Sequence, residues 1–189
     1  YGRMRFGIDT VKTVRSAVGN DFPIFYRIGA EENLKDGVTI NESILYSVEL
    51  EKAGVDVIDV SVGRSSEFSP SPSKKAKMGT YAYLSHAIKQ SVNIPVIAVG
   101  RINTQKVAES ILNRKKADLV AIGRQIIADP YWPKKVKQRR SDEIVACLSC
   151  NSCFGPVMGG KWKPGDPVCK VNERAGREID LPSLTGVVN

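Results

Sequence analysis

The chain of 189 residues has a single histidine, His86, and no cysteine outside the window 147–169. His86 falls on an expected helix far from the cysteines, so it reads as a surface or core residue rather than a metal ligand. No run of 18 apolar residues occurs, which excludes a membrane-spanning helix at the level of sequence. No basic segment followed by an apolar one opens the chain, so no secretory signal is visible. A cytoplasmic, reducing setting is therefore the expectation, and it argues against disulfides. No G-x-G-x-x-G follows any strand-like stretch, which weakens a dinucleotide-binding reading. The first residue is Tyr1 rather than Met, and the natural N-terminus is expected to lie upstream.

What is present is a basic chain of ordinary apolar and charged content, with net charge +8 and pI near 9.4. That composition describes a folded protein rather than a disordered one. The charge is scattered, with short clusters only at "KKAK" (74–77) and "KKVKQRR" (134–140). The second cluster sits on an expected helix and reads as a solvated face. Nucleic-acid binding is accordingly disfavoured, while anionic ligands such as phosphates suit the charge.

Strand-like and helix-like stretches alternate. "FPIFYRI" (22–28), "VDVIDVSVG" (55–63), "IPVIAVG" (94–100) and "ADLVAIGR" (117–124) read as strands. Helices are expected at 7–18, 41–53, 80–92, 104–115 and 131–140, the second ending at Gly54. The strands are nearly continuously apolar, as parallel strands covered on both faces are. Alternating units of this kind imply a doubly wound sheet or a (β/α)8 barrel. If a barrel, these units are half of one, since a whole barrel needs about 250 residues. A half barrel exposes two strand edges and an apolar interior, so a missing segment or partner is expected.

The cysteines are spaced Cys147-x2-Cys150-x2-Cys153-x15-Cys169. Zinc sites more often use two separated C-x2-C pairs or add histidine. A tight C-x2-C-x2-C loop wraps three corners of a [4Fe–4S] cube, and a distant cysteine fills the fourth. The spacing favours the cube over zinc, and zinc over unligated thiols. Such a cluster moves single electrons, and a flavin is the usual one- to two-electron converter. Two strand-like stretches end in Gly-Arg, at Gly100–Arg101 and Gly123–Arg124. Loops after the last two strands of a barrel commonly bind phosphate. Gly100 and Gly123 would admit a flavin phosphate, and Arg101 and Arg124 would supply charge-assisted bonds. The plainer alternative is that these residues end strands and form surface ion pairs.

The chain resembles the iron–sulfur branch of the old yellow enzyme family, which includes 2,4-dienoyl-CoA reductase, trimethylamine dehydrogenase and enoate reductase. The resemblance lies in "RMRF" (3–6), "VGNDFPIFYRI" (18–28), "AVGRIN" (98–103), "ADLVAIGRQIIADP" (117–130), "CLSCNSC" (147–153) and "CKVNERAGRE" (169–178). It implies an α/β fold: the C-terminal half of an FMN-binding (β/α)8 TIM barrel over 1–140, then a small cysteine-rich iron–sulfur segment over 141–189. It implies FMN, a [4Fe–4S] cluster on Cys147, Cys150, Cys153 and Cys169, and NAD(P)H as electron donor. FAD would belong to a further, missing C-terminal unit. Arg27 would face the flavin pyrimidine edge, and Gly100, Arg101, Gly123 and Arg124 match phosphate-binding positions.

Dienoyl-CoA-type reductases carry a histidine just after the second strand, where this chain has Arg64, Ser65 and Ser66. Arg64 and Ser65 are the candidates for the role that histidine would fill. The expected partners are a small-molecule substrate and the missing N-terminal half-barrel. Neither nucleic acid nor a membrane is expected, and a homo-oligomer is compatible. Enoate or dienoyl reduction is favoured, with an amine dehydrogenase as alternative and a zinc-stabilised, non-redox binding module as the alternative of another class. Trp132 reads as a packing residue, Trp162 as a shield over the cluster, and "SSEFSPSPSKK" (65–75) as a lid or a plain loop. Of Asp56 and Asp59, one could be a polar group inside the barrel, though a strand-end hydrogen bond is the favoured role.

Overall fold

A computed structural model describes residues 2–32, 34–63, 71–154 and 168–179. Their order is α1 (Gly2–Val18), β1 (Phe25–Gly29), α2 (Ile40–Lys52), β2 (Val57–Ser61), α3 (Ala82–Lys89), β3 (Val96–Ala98), α4 (Gln105–Asn113), β4 (Leu119–Val120), α5 (Arg124–Ala128) and α6 (Trp132–Lys137). Short 3-10 turns follow at Ser141–Glu143 and Ser152–Phe154. The chain divides into two compact units. The first holds α1 to β4. The second holds α5, α6, the cysteine segment and the short stretches 73–75 and 103–105.

In the first unit the four strands are parallel and lie in the order β1-β2-β3-β4. Strand order in a doubly wound sheet reverses at a switch point. Here it never does, so the sheet winds in one direction, as an arc of a barrel would. Parallel register sets Arg27 opposite Asp59 and Gly29 opposite Ser61. Side chains alternate along each strand. Ile28, Ile58, Val60 and Val96 join Leu50, Leu84 and Ile88 from α2 and α3 in the core. Burying each such side chain stabilises the fold by about 1.5–3 kcal/mol. Phe25 is 59 % exposed, Leu119 is 47 % exposed, and Arg27 is also exposed. The face carrying Arg27 is thus less apolar than a bare barrel interior, because Asp59 and Ser61 of β2 answer it.

Local chemistry accounts for α2. Thr39 caps it, its hydroxyl accepting from the Glu42 N–H while the Glu42 carboxylate accepts from the Thr39 N–H. Gly54, at φ +104, closes it.

Asp56 stands just ahead of β2 and makes the strand-end hydrogen bond expected of it. Its carboxylate accepts from the Ile24 N–H at 2.7 Å and from Arg15 Nη2 at 2.5 Å. The Ile24 N–H, aided by Arg15, holds this carboxyl below the usual range despite its partial desolvation. A depressed folded-state pKa contributes stability that is present above the unfolded value of about 3.9 and lost as pH falls through the folded one. Asp56→Asn is therefore expected to flatten the fall in urea midpoint between about pH 5 and pH 2. An unchanged slope would remove Asp56 from the acid response.

The last strand is shorter than the sequence pattern suggests. After Val120 the Ala121 N–H still reaches Ala98 O at 2.8 Å. Gly123 then turns the chain at φ −98, ψ −86, and α5 begins at Arg124. The Ile126 N–H bonds back to Gly123 O at 2.9 Å. The stretch 117–124 is thus a two-residue strand, a turn and a helix start, and α5 is an element that apolar continuity concealed. Trp132 is 7 % exposed and packs as expected. Among the described residues, no helix is long and apolar enough to cross a membrane.

Candidate functional site

All four cysteines line one recess in the second unit, together with Arg124, Asn151 and Lys170. Each is a free thiol. The segment that presents Cys147 and Cys150 lacks regular structure from 144 to 151, so its backbone groups need partners from elsewhere. The side chains of Gln125 on α5, of Asp129 just past it and of Asn103 supply them. Gln125, 1 % exposed, donates to Val145 O and accepts from the Cys147 N–H, both at 2.8 Å. Asn103 donates to Cys147 O at 3.1 Å and to Ser149 Oγ at 3.0 Å. Asp129, 3 % exposed, accepts from the Val145 N–H at 3.0 Å and from Lys135 Nζ at 2.7 Å. Ser149 and Asn151 then take left-handed conformations, φ 52 and 62, which curl the loop around its thiols.

The sulfur environment is graded. The Ser149 N–H points at Cys147 Sγ, 3.4 Å away. The Ser152 hydroxyl lies 3.3 Å from Cys150 Sγ, and this contact, with the Ser152 N–H and the charge of Lys170, lowers the Cys150 pKa. Burial pushes the Cys153 thiol up, Cys147 and Cys169 add to that, and Arg124 opposes it. A set of four soft donors sharing one recess, with an N–H directed at sulfur and two cations beside it, fits a cluster held by four thiolates. Among the described residues, no three His, Cys, Asp or Glu side chains form a ligand group for a single metal ion.

In the first unit, Arg27 Nη1 donates to Asp59 Oδ2 at 2.5 Å and Nη2 to Ser61 Oγ at 3.0 Å. Asp59 is therefore the aspartate on the sheet face, while Asp56 serves the strand end. The second oxygen of Asp59 is buried and has no hydrogen-bond partner among the described residues. Gly100 has φ +117, and a Cβ there would stand 2.6 Å from Tyr81 Cδ2. Its glycine answers first to backbone conformation and to the Tyr81 ring. Gly100→Ala is expected to cost about 2–4 kcal/mol through strain and overpacking, read as a lowered urea midpoint. A loss under about 0.5 kcal/mol would show that Tyr81 moves aside freely. Arg101, at φ 51, donates to Ala76 O.

In the second unit, Gly123 precedes α5, and a Cβ added there meets nothing within 4 Å. Arg124 donates to Asn151 Oδ1 and faces the cysteine recess. Arg64, Ser65 and Trp162 lie outside the described residues. Sequence reasoning missed Asn103, Gln125, Asp129 and Ser149. The one available signal was the pair Gln125 and Asp129, two polar residues that bracket the apolar run 126–128.

The family model of the NADH:flavin oxidoreductase / NADH oxidase family matches residues 2–143. The chain is 43 % identical over 178 residues to an NADH oxidase of Thermoanaerobacter brockii, covering 93 % of this chain and 27 % of that protein. It is 40 % identical over 184 residues to a metal reductase of Desulforamulus reducens, covering 97 % and 27 %. Among solved structures, that of a 2-naphthoyl-CoA reductase in complex with 2-naphthoyl-CoA superposes with a TM-score of 0.84 at 31 % identity, over 95 % of this chain and 27 % of that one. The chain thus spans about a quarter of the length of these proteins. Its four βα units are part of the (β/α)8 barrel that these flavoenzymes share. Four parallel strands wound in one direction agree with these matches, and the chain belongs to the NADH:flavin oxidoreductase / NADH oxidase family.

Proposed function

We propose that the chain is a portion of an FMN- and [4Fe–4S]-dependent oxidoreductase that passes electrons between NAD(P)H and an organic substrate, with enoate- or dienoyl-type reduction favoured. The observation that carries this reading is the gathering of Cys147, Cys150, Cys153 and Cys169, all free thiols, on one recess. The two reductases and the NADH oxidase among the matched proteins support the reducing direction, while a matched dimethylamine dehydrogenase supports the amine alternative. By function, residues 1–140 would contribute to the flavin barrel and 141–189 would carry the cluster. The protein would work in a reducing, cytoplasmic setting. Its partners would be a small-molecule substrate, an N-terminal half-barrel, and a C-terminal unit holding FAD.

When bound, the cluster relays single electrons and the flavin exchanges pairs with the substrate or the nicotinamide. The chain's own residues set the stage. The four cysteines would ligate iron as thiolates, with Arg124 and Lys170 beside them to offset negative charge. Gly100 and Arg101 in the first unit, and Gly123 and Arg124 in the second, are each proposed as flavin-phosphate residues, with Gly123 leaving space for close approach at the start of α5. Arg27, oriented by Asp59 and Ser61, would present its cation to the pyrimidine edge and favour anionic reduced flavin. Arg64 or Ser65 would orient the substrate where related reductases carry histidine.

The test is an anaerobic visible spectrum of the full-length protein with iron, acid-labile sulfide and flavin analysis. Expected are about four irons and four sulfides per chain with bound FMN. Zinc in place of iron, with no flavin taken up, would overturn the reading in favour of a structural metal module. Flavin bleached by simple amines but not by NAD(P)H would move the activity to amine oxidation.

A further inference from the structure

The backbone of Cys147 is gripped from two sides by buried side-chain amides. Its N–H donates to Gln125 Oε1 at 2.8 Å, and its carbonyl accepts from Asn103 Nδ2 at 3.1 Å. Gln125 also donates to Val145 O at 2.8 Å, so a single side chain pairs with the loop backbone as an adjacent strand would. Asn103 also donates to Ser149 Oγ at 3.0 Å, and the Ser149 N–H is the group aimed at Cys147 Sγ. Gln125 and Asn103 are 1 % and 6 % exposed. Amides this deeply buried are held only where every bond is made, so the arrangement tolerates little displacement. None of the other three cysteines has its backbone held on both sides by side chains among the described residues. Cys150, at the opposite extreme, is exposed.

We infer that Gln125 and Asn103 are positioning residues for the metal centre: they fix Cys147 and the N–H directed at its sulfur, and so govern how firmly the cluster is held and at what potential it works. The inference rests on the cluster assigned under the proposed function. The physical basis is general. Groups behind a ligand orient it, and hydrogen bonds to cluster sulfurs set the reduction potential. Gln125→Met keeps the volume and removes both backbone bonds. Asn103→Leu removes the opposite grip. Gln125→Glu keeps an acceptor for the Cys147 N–H but turns an oxygen toward Val145 O.

In full-length holoprotein, Gln125→Met and Asn103→Leu are expected to release iron to a chelator about tenfold faster than the parent. They are also expected to shift the midpoint potential and the EPR spectrum of the reduced cluster. Gln125→Glu should fall between Gln125→Met and the parent. Trp132→Leu, buried in the same unit and with its indole N–H unpartnered among the described residues, is the control for lost stability. If that control releases iron as fast and shifts the potential as far, the amides are merely structural and the inference falls. If the parent holds its cluster and both amide variants match its potential and release rate, the inference falls while the cluster stands. A parent without iron and sulfide overturns the cluster, and this inference with it.

Discussion

Cys169→Ser in the full-length protein is expected to abolish the intact cluster, lowering bound iron from about four to three or fewer per chain. FMN should be retained. Of the four proposed ligands, Cys169 is the one that spacing identifies least securely, since 15 residues separate it from Cys153. Yet it lines the same recess as the other thiols, and its charge is felt at Cys153. A serine there offers an oxygen that stays protonated near neutral pH and is a poor partner for iron. The visible absorption of the cluster should fall accordingly, while the flavin bands remain. Iron and sulfide unchanged from the parent would place the fourth ligand elsewhere, among residues outside the recess.

Asp129→Ala is expected to cost about 3–5 kcal/mol, the usual consequence of removing one member of a buried ion pair. Asp129 accepts from Lys135 Nζ at 2.7 Å, from the Val145 N–H at 3.0 Å and from the Tyr131 N–H at 3.1 Å. The side chains of the ion pair are 3 % and 16 % exposed. Alanine would leave two backbone donors without this acceptor and the mostly buried Lys135 ammonium without its counter-charge, its bond to Glu143 O at 2.9 Å remaining. Asp129→Asn keeps the shape and one acceptor oxygen, and about 1–3 kcal/mol is expected for it. Urea unfolding, followed by a probe in the second unit, separates the two. An alanine variant within about 1 kcal/mol of the parent would mean that water or Glu143 replaces the lost carboxylate, and that Asp129 does not brace the segment.

The two predictions draw on different kinds of legibility. The clustering of three thiols could be read in one dimension because it is local: seven consecutive residues present Cys147, Cys150 and Cys153, and the recess gathers them with Cys169. The capping box at Thr39 and Glu42 is local in the same way. The bracing of the loop is not local. Asn103 and Cys147 are 44 residues apart, and nothing in "GRIN" or "CLSC" announces the other. Gln125 directly follows the stretch 117–124 that reads as a strand. Only the turn at Gly123 starts a helix there and sends the amide toward the cysteine loop. Gly100 shows a third case. The sequence suggests room for a ligand there, while in the fold the ring of Tyr81 occupies the place of the missing side chain.

By itself the sequence determined the class of the fold and the inventory of chemistry: continuously apolar strands alternating with helices, and four thiols spaced for a cluster. Apolar periodicity and short-range ligand spacing are properties of neighbouring residues, so they survive without a fold. The tertiary structure decided that the sheet winds in one direction, that Arg27 meets Asp59 and Ser61 across β2, and that Cys147 is gripped by two amides. Those outcomes depend on parallel register and on long-range pairing of buried polar groups. In both, the partner of each residue is set by where the packed backbone places it, not by any neighbour along the chain.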